Sequence, residues 1–182
     1  SLAITARADI RVRPRRLPPA AMKSTAWEAV RDTLGRIGAP PAVEPCRFLF
    51  ESPHVQLSAE LGAFAAASFT PDRPLLDAAR DLSSRIHAEF RFEAGVTTVA
   101  TPVADVMRER RGVCQDFAHV AIGCLRSMGL AARYVSGYLV TRPPPGRPRL
   151  VGADASHAWV SRSEEHTSEL PVTATSRMPS SA

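Results

Sequence analysis

The run Gly112-Val113-Cys114-Gln115-Asp116 sets a cysteine just past a glycine, at the head of an apolar stretch that continues to Met128. That stretch reads as a helix, with Cys114 in its first turn. There the helix dipole and free backbone N–H groups favour an anion, which stabilises a thiolate and lowers a thiol pKa. The same N–H groups can stabilise an oxyanion. A buried structural thiol is the ordinary explanation of a cysteine and suffices for Cys46 and Cys124. Cys124 lies ten residues further on, pointing about 80° away and nearly three turns distant.

A thiol nucleophile needs a base. His119 falls about 140° around the helix from Cys114 and cannot easily turn back to the sulfur. His54 and His87 stand in no motif, and satisfied or solvated imidazoles account for both. His166 lies in a polar tail. His157 opens an apolar segment, follows Gly152-Ala153-Asp154-Ala155-Ser156 and precedes Trp159. A nucleophile on a helix and a base on a neighbouring sheet, in that chain order, suit a thiol enzyme.

Several elements must position these two side chains. Residues 2 to 12 alternate apolar and polar, as a strand with one buried face does, and the prolines from Pro14 to Pro19 form a linker. Residues 25–35 predict a short helix. Pro40 to Pro53 is irregular, with Phe48, Leu49 and Phe50 as an apolar anchor. Ser58 caps a helix to Ala67, and Thr70-Pro71-Asp72 opens the longest one, which runs to about Phe92. Its stripe of Leu75, Leu76, Ala79, Leu82, Ile86 and Phe90 faces a core. Thr101-Pro102 starts another helix, with Thr101 as cap, that ends at Gly112. Beyond Gly129 come strands at Tyr134–Val140 and at His157–Val160, separated by a Pro/Gly/Arg loop.

Composition narrows the function further. The chain has 182 residues, 45% hydrophobic and 23% charged, as in an ordinary globular protein. No apolar run approaches the ~20 residues of a membrane-spanning helix, so no membrane partner is expected. The net charge of +5 comes from arginines, since Lys23 is the sole lysine among 23 basic residues. The Arg clusters lack the interleaved aromatics of a single-strand groove, and no nucleic-acid partner is expected. Three cysteines without CxxC spacing, and histidines without an HxxxH pair, predict neither a disulfide framework nor a zinc site. The odd thiol count points to a reducing, cytoplasmic compartment.

The blocks RRGVCQDFAHVAIGCLRSMGLAARYVSGYLVT and GADASHAWV resemble the bacterial transglutaminase-like family, over roughly residues 11–160. The resemblance implies an α+β fold, a papain-like transglutaminase core with helices packed on a small antiparallel sheet. It implies Cys114 as nucleophile and His157 as general base. The expected activity is acyl transfer on glutamine or peptide-like amides through a Cys thioester, with a protein or peptide substrate, an amine co-substrate, and no metal or organic cofactor. A cysteine peptidase or amidase of the same fold, and a non-catalytic fragment or pseudoenzyme, stand as alternatives. Gln115 and Asp116 fit two roles, shaping the site or capping the helix. Trp159 fits a site wall or a core position, and Asp154 fixes a loop more readily than it serves as a third triad member.

In this family the strand after the histidine continues into a β-hairpin bearing an Asp that orients the base. Here no Asp follows Asp154, and RSEEHTSEL resembles translated sequencing-adapter sequence. The expected organisation is therefore residues 1–16 as the last strand and linker of a truncated β-rich domain, 17–161 as a catalytic core incomplete at its C-terminus, and 162–182 as a non-native disordered tail.

Overall fold

The computed structural model describes residues 25–35, 43–138 and 156–162. In chain order the elements are α1 (Trp27–Gly35), α2 (Val43–Cys46), α3 (Ala59–Ala66), α4 (Leu75–Glu89), β1 (Arg91–Phe92), α5 (Val103–Glu109), β2 (Arg111–Gly112), α6 (Cys114–Ser127), β3 (Ala132–Tyr138) and β4 (Ser156–Arg162). Helices pack on a small antiparallel sheet, as the α+β expectation has it. The initial strand, the linker and the tail from residue 163 lie outside the described residues, as do Leu139 and Val140.

α6 is the central element, packed by α3, α4 and α5 and by both long strands. Its sequence is apolar over most of its circumference, and Val120, Ile122, Cys124 and Leu125 are fully buried. A helix apolar all round is stable only when neighbours cover it. Burying each Leu, Ile or Val contributes about 1.5–3 kcal/mol before entropy is counted. The helix stops at Gly129, whose φ of 74° is the left-handed conformation glycine adopts freely. Gly129 N–H then bonds Arg126 O at 2.9 Å and Leu130 N–H bonds Leu125 O at 3.0 Å, the double bond pattern of a Schellman stop.

The strands β3 and β4 pair antiparallel, with Ala132 opposite Arg162, Tyr134 opposite Val160 and Gly137 opposite His157. β4 thus runs one residue past the expected core boundary. Ala158 and Val160 are buried while His157 and Trp159 are half-buried, the period-two pattern of a strand with one face on a core. β1 and β2 form a short parallel pair, and β2 is the last element before α6.

Two helix starts differ from expectation. Ser58 does cap α3, accepting from Leu61 N at 3.3 Å, but α4 begins at Leu75 rather than at Thr70-Pro71-Asp72. Residues 70–74 are held as a turn by α1: Trp27 Nε1 donates to Thr70 O at 2.9 Å, and Asp72 N donates to Glu28 Oε1 at 3.0 Å. Thr101 does not cap α5. Its Oγ1 accepts from Thr98 N at 2.8 Å, and Pro102 takes the cap position. α5 ends at left-handed Arg110, before Gly112. Phe50 is no apolar anchor, being 66% exposed; its carbonyl is what holds the segment.

That carbonyl belongs to a clamp built on Arg126, which is 8% exposed. Arg126 Nη1 donates to Phe50 O at 2.8 Å and to Ser52 Oγ at 3.1 Å. Nε and Nη2 both reach Ala132 O, at 3.1 and 2.8 Å. One guanidinium fork ties the irregular segment before α3 to α6 and to the start of β3. Among the described residues no helix is long and apolar enough to cross a membrane.

Candidate active site

Cys114 is the first residue of α6 and is half-buried. The residue before it, Val113, is extended and occupies the cap position without a side-chain cap bond. Valine offers no oxygen to the first-turn N–H groups, so no cap side chain competes with an anion for them. The N–H of Val113 itself is taken by Asp116 Oδ2 at 2.7 Å. Asp116 is 1% exposed, and the same oxygen accepts from Thr97 Oγ1 at 2.6 Å. The carboxylate therefore caps the start of α6, the helix-capping role open to it in the sequence. Gln115, the next helical residue, is half-buried beside Cys114.

Cys124, in contrast, has no exposed surface, and burial pushes its thiol up to about 12. It is a core residue. Cys46 is half-buried, with Sγ 3.4 Å from Leu34 O.

His157 stands near the start of β4, and burial pushes its pKa down, so the neutral imidazole is favoured. Trp159 lies on the same face, ring centroids 5.0 Å apart and edge-to-face at 69°. The indole extends over Gly137, where an added Cβ would stand 2.9 Å from Trp159 Cζ3. Glycine at 137 thus lets Trp159 lie across the strand pair and wall one side of the imidazole. Among the described residues no hydrogen bond joins Cys114 Sγ to His157. Asp154 lies outside the described residues.

His54, His119 and Tyr134 form a second group of titratable side chains. His119 is buried between His54, its ring parallel at 5.8 Å, and Tyr134, at 5.3 Å. Burial first, then His54, lowers the His119 pKa. The Tyr134 phenol is pushed up by burial first, then by the negative charges of Cys114 and Asp116, and so stays protonated. Tyr134 sits opposite Val160 in the strand pair and is itself 39% exposed. Its signal in the sequence was only its place in a strand. His54 and His119 are 65 residues apart in the chain, and no local pattern links them.

Residues 63–162 match the Transglutaminase-like superfamily, a span that includes Cys114, Gln115, Asp116, His157 and Trp159. Uncharacterized proteins of Mycobacterium tuberculosis and Mycobacterium bovis are 47% identical over 135 residues, covering 74% of this chain and 41% of theirs. A Mycobacterium leprae protein is 39% identical over 105 residues, covering 56% and 35%. The chain thus spans about two fifths of the length of the mycobacterial relatives it matches at 47% identity. Among solved structures it is similar to a "putative cysteine protease" from Cytophaga hutchinsonii, with TM-score 0.54 and 28% identity over 66% of this chain and 38% of that one. With its central helix, antiparallel strand pair and matched span taken together, the chain belongs to the Transglutaminase-like superfamily and has its cysteine-enzyme fold.

Proposed function

We propose that Cys114 is the nucleophile and His157 the general base of a thiol acyl-transfer reaction on glutamine or peptide-like amides. The observation that carries this reading is the half-buried Cys114 at the head of α6, behind a cap residue that leaves the first-turn N–H groups to an anion. Attack on the carbonyl forms a tetrahedral oxyanion, which those N–H groups stabilise. Collapse expels the amine, protonated by His157, and leaves a thioester. A primary amine or water then resolves it. The burial that favours neutral His157 suits a base working near neutral pH. The hydrogen bond from thiol to base is frequently long in an unliganded enzyme and tightens with substrate. Trp159 walls the imidazole, and Gln115 flanks the thiol. Three free cysteines support a reducing, cytoplasmic setting.

The similarity to the Cytophaga protein supports hydrolysis of an amide as the second reading. Incubating the longest natural chain that carries these residues with a glutamine peptide and a primary amine separates the two. Amine incorporation in excess of ammonia release without amine marks a transferase; cleavage or deamidation alone marks a hydrolase. Cys114→Ala should abolish both, and His157→Gln should lower either by about 10²–10⁴-fold. Turnover in Cys114→Ala would refute the nucleophile, and failure to trap any acyl-enzyme would favour a non-catalytic module.

A further inference from the structure

The segment 91–97 runs alongside the turn that carries Cys114. Arg91 lies opposite Arg111 and Phe92 opposite Gly112 in the parallel pair. Arg91 N donates to Arg110 O at 2.8 Å and Glu93 N to Gly112 O at 2.9 Å. Four residues on, Thr97 Oγ1 donates to Asp116 Oδ2 at 2.6 Å, the oxygen that also holds Val113 N at 2.7 Å. The other oxygen, Oδ1, is buried without a hydrogen-bond partner. This carboxylate therefore depends on two donors, one from the nucleophile turn and one from a segment 19 residues earlier. Gly112 makes the room, because a Cβ there would stand 2.6 Å from Oδ2.

We propose that Thr97 is a positioning residue for Cys114, acting through Asp116 on the Val113–Cys114 turn. A buried carboxylate with one empty oxygen is costly, and its remaining bonds fix its orientation. Without the threonine hydroxyl, Asp116 keeps only Val113 N–H and is free to rotate its unsatisfied oxygens toward other donors. The peptide preceding Cys114 then loses its fixed orientation, and with it the first-turn N–H groups lose their aim at the developing oxyanion. Misplacement by about 1 Å can cost ~10²-fold in rate. The proposal rests on Cys114 as nucleophile.

The test compares two reactions of the same thiol in the longest natural chain that carries these residues. Acetylation by p-nitrophenyl acetate forms a thioester, expels p-nitrophenolate and passes through an oxyanion; alkylation by iodoacetamide needs the thiolate but no oxyanion. Thr97→Val should slow acetylation of the Cys114 peptide, read by mass spectrometry, by about 10²-fold, with alkylation changed less than about threefold. Thr97→Ser should restore acetylation to within about threefold, because it restores the donor. Gly112→Ala, which displaces the carboxylate without touching Thr97, should give the same selective loss and serves should Thr97→Val fail to fold. Unchanged acetylation in both variants, equal losses in both reactions, or no rescue by serine would overturn the role of Thr97 alone. Failure of Cys114 to acetylate in the unsubstituted chain would overturn the nucleophile reading together with it.

Discussion

The imidazole of His119 lies parallel to that of His54, with ring centroids 5.8 Å apart and planes inclined by 2°. Two cations cannot share that spacing cheaply, and burial opposes even one on His119. A histidine whose folded pKa is depressed binds fewer protons folded than unfolded. Its contribution to stability is present above the unfolded value of about 6.5 and is lost as pH falls from there toward the folded pKa. His157 adds in the same direction. Thermal melts should therefore show the midpoint falling as pH drops below about 6.5, with a shallower fall in His119→Gln. An identical slope in the two proteins would remove His119 from the account.

The three cysteines should separate by reactivity. Iodoacetamide followed by peptide mapping should modify Cys114 first. Cys124, fully buried with its thiol pushed up to about 12, should react only at the rate of unfolding. Alkylation of Cys124 in the folded chain at a rate near that of Cys114 would contradict the packing of α6.

Arg126 should be among the least replaceable side chains. Arg126→Met fills similar volume but leaves Phe50 O and Ala132 O without their donor, a loss on the order of 3 kcal/mol. Arg126→Lys should recover only part of this, since an ammonium cannot present the planar fork. Urea unfolding measures both, and a loss under about 1 kcal/mol for Arg126→Met would show that water replaces the clamp.

Gly123→Ala sets helix propensity against packing. Alanine improves an α-helix by about 1 kcal/mol. The new Cβ, however, would stand 2.8 Å from Leu61 Cδ1, a side chain with no exposed surface into which to retreat. Overpacking of this kind costs about 1–3 kcal/mol, so net destabilisation is expected. A higher melting temperature for Gly123→Ala would show that α3 yields.

Much of the site-bearing architecture was legible because it is local. The apolar run after Cys114, the Ser58 cap and the glycine at 129 are short-range signals, and α3 and α6 follow them closely. β3 starts two residues earlier than its aromatic run suggested, since Ala132 is recruited by pairing with Arg162 rather than by propensity. The misplaced start of α4 has a tertiary cause: Trp27 and Glu28 hold residues 70–74 in a turn that their own sequence would allow to be helical. The bonds from Thr97 to Asp116 and from Arg126 to Phe50 join residues 19 and 76 apart, and neither leaves a periodic trace. Asp116 was legible as a first-turn acid, but its burial was not.

Only Val113 separates β2, which ends at Gly112, from α6, which begins at Cys114 itself. With the Thr97 and Val113 bonds to Asp116 in place, moving the Cys114 Cα would require parting the β1–β2 pair or unwinding the first turn of α6, and regions so bonded open rarely. Side-chain rotation about χ1 is the sulfur's only inexpensive freedom, among three staggered wells at most. The thiol therefore behaves as a fixed point on the timescale of binding, and it is the acyl group that must be brought to the sulfur.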